Sequence, residues 1–164
     1  MPYNQIENLY IKYYREIYLY AFSLCKDHYI AQDLTSDTFF NAMLSLNETL
    51  PHIKYWLFKV CKNLFLDYLK KDKEFSCVNE LKDTLSTQET PLDILIQGEE
   101  NKKLYQQVLN LRPTYREILI LYYYCDLTLK EISDQTGLSE GTVKTQLFRA
   151  RNKLKIQLEG KNEI

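Results

Sequence analysis

Glycine and proline are scarce in this chain, with four of each among 164 residues. Because tight turns depend on these two residues, their scarcity excludes a turn-rich β fold and favours helices joined by short connections. Histidine occurs only twice, and the four cysteines include no Cys-x-x-Cys pair. The sequence thus offers no metal-ligand spacing and no catalytic histidine arrangement, and we expect neither a metal nor a cofactor.

Long apolar runs are also missing, since no stretch approaches the roughly 20 apolar residues that a bilayer-spanning helix needs. No signal-peptide pattern opens the sequence. We therefore expect a cytoplasmic protein with no membrane insertion of its own, whose cysteines stay reduced. Hydrophobic residues nevertheless make up 45% of the chain, which includes fourteen tyrosines, so material for packed cores is ample.

Charge is segregated along the chain, although its net value is only −1. Residues 53–71 carry five lysines and one aspartate, and residues 139–161 carry six cations and two glutamates, so each stretch has a net charge of +4. Residues 72–100 carry eight acidic and two basic residues, a net charge of −6. Local charge steers binding to a polyanion more than the total does, so this pattern predicts two nucleic-acid contacts on one chain.

The strongest local motif lies in the last forty residues. Thr128 and Glu131 have the spacing of a capping box at the start of a helix. Gly137 suits the left-handed position that ends this helix, and Ser139 suits the cap of the next, which we expect over about 140–155 or slightly beyond. Two short helices joined by a glycine turn form a helix-turn-helix, whose second helix enters the DNA major groove.

The second helix of this unit separates into an apolar stripe and a polar remainder. Val143, Leu147 and Ala150 recur at helical spacing and are expected to be buried. An amphipathic helix with a solvated basic face would show the same stripe, but the capped helix and glycine turn before it favour DNA binding. Hydroxyls, a ring and cations suit phosphate contacts and base readout. The candidate DNA-binding residues are Thr142, Lys144, Thr145, Phe148, Arg149 and Arg151.

The N-terminal part contains three helical patterns, over about 5–25, 29–44 and 53–71, or four if the first pattern is two helices. The third pattern interleaves lysines with aromatic rings. In proteins that bind single-stranded DNA, aromatic rings stack on the bases and lysines contact the phosphates. This face predicts a second DNA contact, although packing of the rings under a neighbouring domain would explain it as well. Its candidate DNA-binding residues are Tyr55, Lys59 and Lys62.

The second pattern places Asp33 and Asp37 four residues apart on its polar side, beside apolar Leu34 and Phe40. Ordinary solubility explains two exposed aspartates. An acidic face beside apolar residues is equally typical of a docking surface for a basic partner. The residues alone leave both interpretations open.

The middle of the chain, residues 72–95, has poor periodicity and many Ser, Thr, Asp and Glu residues. It is predicted to be an acidic flexible linker. Helix is expected to resume over about 95–111, and Pro113 is expected to open another over 114–124. The predicted fold class is all-α, with two small helical domains joined by this linker. Their ranges are residues 1–71 and residues 96–164, the second containing the helix-turn-helix.

Three segments together resemble a known family. They are residues 33–39 (DLTSDTF), 55–64 (YWLFKVCKNL) and 141–151 (GTVKTQLFRAR). In this order and at these separations they resemble bacterial RNA polymerase sigma factors of the sigma-70 family, extracytoplasmic-function (ECF) subgroup. The resemblance covers nearly the whole chain. It implies a transcription initiation factor, not an enzyme, that docks on core RNA polymerase and directs it to a subset of promoters.

The resemblance also implies a role for each part of the chain. Residues 1–71 would bind core polymerase and open the minus-ten promoter element, and residues 96–164 would read the minus-thirty-five element. The linker would thread toward the basic active-site channel. The regulatory partner would be an anti-sigma protein. The core-polymerase contacts implied are Asp33, Leu34, Asp37 and Phe40, and the residue implied to capture a flipped minus-ten base is Asn47.

Two other classes of protein remain as alternatives. A free-standing helix-turn-helix regulator would need only the C-terminal half of the chain, and usually a dimer. A nucleic-acid hydrolase would need a constellation of carboxylates or histidines that the sequence does not offer.

Overall fold

The structure is a computed structural model that describes residues 3–45, 52–74 and 91–162, and in these ranges every regular element is helical. The N-terminal half contains α1 (Tyr3–Cys25), α2 (His28–Ser45) and α3 (Ile53–Glu74). The C-terminal half contains α4 (Pro91–Leu95), α5 (Glu99–Leu109), α6 (Pro113–Leu119), a π-helical segment (Ile120–Tyr124), α7 (Leu129–Thr136) and α8 (Glu140–Asn162). The all-α prediction is confirmed for the described residues.

The N-terminal half is a three-helix bundle in which α1 is central. Residues 17–23 of α1 are all buried, because α2 and α3 cover one side of the helix and the C-terminal half covers another. The first helical pattern is a single helix. The carboxylate of Asp27 accepts hydrogen bonds from the backbone N–H groups of Tyr29 and Ile30 at 2.9 and 3.0 Å, which caps α2.

Three element boundaries differ from the sequence predictions. The helix expected over 95–111 is shorter and begins at Glu99, because Gly98 before it adopts a non-helical φ of +89° as the N-cap of α5. The predicted linker is helical at both ends, since α3 continues to Glu74 and α4 begins at Pro91, where proline is favoured as the first helical residue. The last helix extends beyond residue 155, to Asn162.

The two halves pack directly against each other. The hydroxyl of Tyr105, which is buried, donates a hydrogen bond to the backbone carbonyl of Leu19 in α1 at 2.6 Å. The Nε of Arg15 in α1 donates to the carbonyl of Leu95 in α4 at 2.9 Å. Buried side chains of both halves belong to one continuous core. The two domains are therefore closed on each other, with α1 at their junction.

Candidate nucleic-acid interfaces

The helix-turn-helix is fixed by three local devices that the sequence predicts. The Oγ1 of Thr128 accepts from the backbone N–H of Glu131 at 3.1 Å, and the Glu131 carboxylate accepts from the N–H of Thr128 at 2.9 Å. Gly137 ends α7 with a φ of +78°, and the Oγ of Ser139 accepts from the N–H of Thr142 at 3.1 Å. The capping box, the left-handed glycine and the serine cap are all confirmed.

The apolar stripe of α8 holds the helix at a defined rotation. Val143, Leu147 and Ala150 are buried, and α8 packs against both α6 and α7. In α7, Ile132 is fully buried as well. Because both sides of this contact are apolar and closely packed, the opposite face of α8 is presented to solvent as a rigid surface.

The exposed face of α8 carries most of the predicted DNA-binding residues. Lys144, Thr145, Phe148 and Arg149 are all exposed. Phe148 is 62% exposed, so this ring is not part of the protein core. Thr142 is exposed too, and its hydroxyl accepts from Ser139 at 2.8 Å. The structure thus brings five predicted residues together at the N-terminal part of α8, the part of a recognition helix that contacts base edges.

Arg151 is also exposed and lies two turns after Lys144 on the same side of α8. Its guanidinium sits 5.7 Å from the ring centroid of Tyr122 and 5.3 Å from that of Tyr123. Its Nε also donates to the Tyr123 hydroxyl. These contacts tie α8 to the π-helical segment through cation–π and hydrogen-bonding interactions. A DNA contact by Arg151 stays a prediction.

The predicted DNA-binding residues of α3 are in unlike environments. Lys59 is exposed, and its Nζ lies 5.3 Å from the ring centroid of Tyr55, which is half-buried. Lys62 instead pairs with Glu117 of α6, with Nζ 2.8 and 3.0 Å from the two carboxylate oxygens. Of these two predicted lysines, therefore, only Lys59 is open to a polyanion in this conformation. Asn47 lies outside the described residues.

The predicted docking face on α2 is partly exposed. Asp33, Asp37 and Phe40 face solvent, whereas Leu34 is 5% exposed and belongs to the core. Met43 and Leu44, near the end of α2, are exposed as well. The apolar patch on α2 is consequently larger than predicted. The spacing of Leu44, four residues after Phe40, was the signal for this extension.

Comparisons with known proteins decide the family. The sequence matches the family "Sigma-70 region 2" over residues 9–75 and the family "Sigma-70, region 4" over residues 101–154. It is 35% identical over 155 residues to the ECF RNA polymerase sigma factor SigM of Bacillus subtilis (strain 168), a match that covers 92% of this chain and 93% of that protein. The chain belongs to the ECF sigma factors. RNA polymerase sigma factor YlaC of the same organism is 31% identical over 157 residues, which cover 93% of this sigma factor and 91% of YlaC.

Solved structures show that this ECF sigma factor has a known fold. The sigma factor RpoE, solved in complex with the anti-sigma factor NepR from Bartonella quintana, matches with a TM-score of 0.68 at 22% identity, over 94% of this chain and 97% of that one. CnrH, solved in complex with the cytosolic domain of CnrY, matches with a TM-score of 0.67 at 20% identity. This match covers 97% of this chain and 90% of CnrH.

A polar cluster that no sequence motif indicates joins the two halves of this sigma factor. The Tyr20 hydroxyl donates to the Glu117 carboxylate at 3.0 Å. The side-chain amide of Gln135 in α7 donates to the Tyr20 hydroxyl at 3.1 Å and to the backbone carbonyl of Phe58 in α3 at 2.8 Å. Burial raises the pKa of Tyr20 well above its ordinary value, so its hydroxyl remains a donor. No periodicity or motif marks these residues, because their partners are distant in sequence.

Two cysteines, Cys61 and Cys125, are fully buried. Burial raises the pKa of the Cys61 thiol to about 12 and raises that of Cys125 as well, so neither thiol is activated as a nucleophile. Within the described ranges, no group of three or more His, Cys, Asp or Glu side chains is placed to hold a metal ion. None of the helices described is long and apolar enough to cross a membrane.

Proposed function

We propose that this ECF sigma factor directs core RNA polymerase to a subset of promoters by contacting two separate DNA elements. The observation that carries the proposal is the solvent-exposed face of α8, where Lys144, Phe148 and Arg149 follow a capped helix and a glycine turn. Cations on such a face meet phosphates and base edges, while the exposed ring of Phe148 can contact a thymine methyl group. We assign this face to the minus-thirty-five element.

The N-terminal half supplies the other functions in this proposal. Asp33, Asp37 and Phe40 of α2 form an acidic and partly apolar surface that suits a basic region of core polymerase. Lys59 and Tyr55 of α3 contribute to the contact with the minus-ten element, where a ring and a cation suit an opened strand. The sigma factor itself carries out no catalysis and acts in the cytoplasm, where core polymerase is found.

Run-off transcription with purified core polymerase on fragmented genomic DNA tests the proposal directly. We expect transcripts that appear only when the sigma factor is added, and their start sites identify the promoters. A free-standing regulator would bind DNA without conferring initiation on core polymerase. If no fragment yields a sigma-dependent transcript, while the chain still binds DNA, the regulator becomes the better account.

Arg149 gives a residue-level test of the α8 face. We expect Arg149→Ala to weaken promoter binding by the holoenzyme by about 1–3 kcal/mol, since a contact to a base edge would be lost. Lys103→Ala is the matched control, because Lys103 is an exposed cation on α5, outside the helix-turn-helix. Equal promoter affinities for the two variants would show that Arg149 does not contact the promoter.

We also propose that an anti-sigma protein controls this sigma factor. RpoE was solved with the anti-sigma factor NepR, and CnrH with the cytosolic domain of CnrY. Co-purification of the tagged chain from its host, in conditions where its promoters are silent, would recover such a partner. Adding the partner to the run-off reaction should suppress transcription, and unaffected transcription would contradict its role.

A further inference from the structure

An open cavity of about 980 Å³ lies between α4, α5 and the C-terminal part of α8. Its volume is at the upper end of the range typical of small-molecule sites, about 300–1,000 Å³. Apolar side chains from four helices line it, and these are Leu95, Leu104, Val108, Leu119, Leu154 and Leu158. None of these six residues belongs to the promoter-binding surfaces assigned above, so the proposed function leaves the cavity unexplained.

The two main walls of the cavity are held together by hydrogen bonds between α5 and α8. Nε2 of Gln157 donates to the backbone carbonyl of Gln107 at 2.8 Å and to its side-chain oxygen at 2.6 Å. Leu158 and Val108, which line the cavity, are the next residues along the chain. Because adjacent positions are tied together, the fold itself sets the separation of the walls, as in ligand sites that are largely formed before the ligand binds.

Part of the apolar lining remains in contact with water. Leu104 of α5 is 36% exposed. Leu154 and Leu158 lie one turn apart on α8 and are half-buried. Apolar surface gains free energy when it is removed from water, and here it is collected in one concave site instead of scattered over the surface. The cavity therefore favours a ligand with a sizeable apolar part.

Cations border the same cavity. Arg15 of α1 is one of them, and Arg151 and Lys155 lie one turn apart on α8. With Glu159, the described charged residues of the lining are three cations and one carboxylate, a net charge of +2. Nε of Arg15 donates to the backbone carbonyl of Leu95 at 2.9 Å, which uses one of the five N–H donors of a guanidinium. The border of the cavity thus suits an anionic group.

Two simpler explanations account for the cations alone. Solvation of a basic helix explains them, and so does a contact with a DNA phosphate. Neither explains the apolar interior beside them, because water and phosphate gain nothing from leucine side chains. A hydrocarbon chain that ends in a carboxylate matches both parts, since the chain covers the apolar lining and the carboxylate accepts charge-assisted hydrogen bonds from arginine.

We propose that this cavity binds a free fatty acid, with its hydrocarbon chain between α5 and α8 and its carboxylate beside Arg15 and Lys155. The inference does not rest on the promoter-binding role, because it concerns the sigma factor without polymerase or DNA. Each methylene group that leaves water for the apolar interior should raise the affinity about fourfold.

Isothermal titration calorimetry of the full-length chain with octanoate, decanoate and dodecanoate, each below its micellar concentration, tests the proposal. We expect one site per chain and an affinity that rises about fifteenfold with each added pair of methylene groups. Decanol, the neutral probe, should bind about tenfold more weakly than decanoate, because its hydroxyl forms no charge-assisted hydrogen bond. Several weak sites, an affinity independent of chain length, or equal binding of decanol and decanoate would overturn the proposal.

A tryptophan in the cavity tests where the hydrocarbon chain lies. Leu104→Trp places a larger side chain in the cavity, and we expect it to weaken decanoate binding at least about tenfold by occupying the space of the ligand. Leu69→Trp is the matched control, because Leu69 is 37% exposed on α3 and does not line the cavity. Wild-type affinity in Leu104→Trp, or an equal loss in the two variants, would contradict the assignment.

A charge variant tests the position of the carboxylate and leaves the apolar interior unaltered. Arg15→Gln/Lys155→Gln should bind decanoate about tenfold more weakly than the wild type, while decanol binding stays within about twofold. The control is Lys103→Gln/Lys153→Gln, which removes two exposed cations of α5 and α8 that do not line the cavity. Unchanged decanoate affinity in the first variant, or the same loss in the control, would overturn the role of these cations.

A membrane lipid is the other source of an anionic group on a hydrocarbon chain. Sedimentation of the full-length chain with phosphatidylglycerol vesicles separates the two sources, and we expect the chain to stay in the supernatant. Sedimentation with the vesicles that is lost in Leu104→Trp and kept in Leu69→Trp would assign the cavity to a bilayer lipid. That result would overturn the proposal of a free fatty acid.

Discussion

The capping box at the start of α7 allows a prediction whose magnitude follows from the structure. Thr128→Ala removes the Oγ1 that accepts from the N–H of Glu131 at 3.1 Å. Because Thr128 is exposed, water can accept a hydrogen bond from the backbone N–H of Glu131 in the variant. We therefore expect the ordinary value for loss of a cap, about 1 kcal/mol off the free energy of unfolding.

Urea denaturation followed by circular dichroism measures this loss. Thr114→Ala is the matched control, because Thr114 is also an exposed threonine near the start of a helix, and α6 has no side-chain cap. We expect that control to stay within about 0.5 kcal/mol of the wild type. If the two variants unfold at the same urea concentration, the capping box contributes nothing to stability and the local reasoning is wrong.

Two further predictions concern α2 and α3. The double reversal Asp33→Lys/Asp37→Lys should abolish co-purification with core polymerase while leaving the helical content unchanged, because both carboxylates are exposed. The Cys61 thiol has a pKa of about 12 in the folded chain against an ordinary 9.0, so the unfolded chain releases its proton first. The free energy of unfolding should be insensitive to this thiol below pH 9 and should fall by up to about 1.4 kcal/mol per pH unit between pH 9 and 12.

Each of these predictions has a matched variant. The control variant Glu7→Lys/Asp67→Lys makes two charge reversals at other exposed positions of the N-terminal half. It should still co-purify with core polymerase. Loss of polymerase in both double variants would show a general charge effect and not a docking face. For the thiol, Cys61→Ala should flatten the decline above pH 9, and an identical decline in wild type and variant would contradict the assignment.

The local features of this fold were predictable because their physics is local. The capping pair Thr128 and Glu131, the glycine at 137 and the cap at Ser139 each act within four residues, so spacing alone identifies them. The exposed face of α8 also followed from periodicity, since Val143 and the other stripe residues fix which side is buried.

The features that the sequence did not indicate depend on distant partners. The sequence predicts a DNA contact for Arg151 because it is a cation on α8, and only the fold shows that Tyr122 and Tyr123 lie beside it. Glu117 and Gln135 were not singled out, because their partners belong to the other half of the chain. Periodicity reports which face of a helix is buried and does not report what covers it.

Hydroxyl-radical footprinting of the holoenzyme on one identified promoter tests the central claim most directly. Wild-type sigma factor should protect two separate stretches of the promoter, because two helical surfaces of one chain contact DNA. Arg149→Ala should weaken protection of the upstream stretch, and Lys59→Ala should weaken that of the downstream one. A single protected stretch, lost in Arg149→Ala and unaffected in Lys59→Ala, would contradict this account.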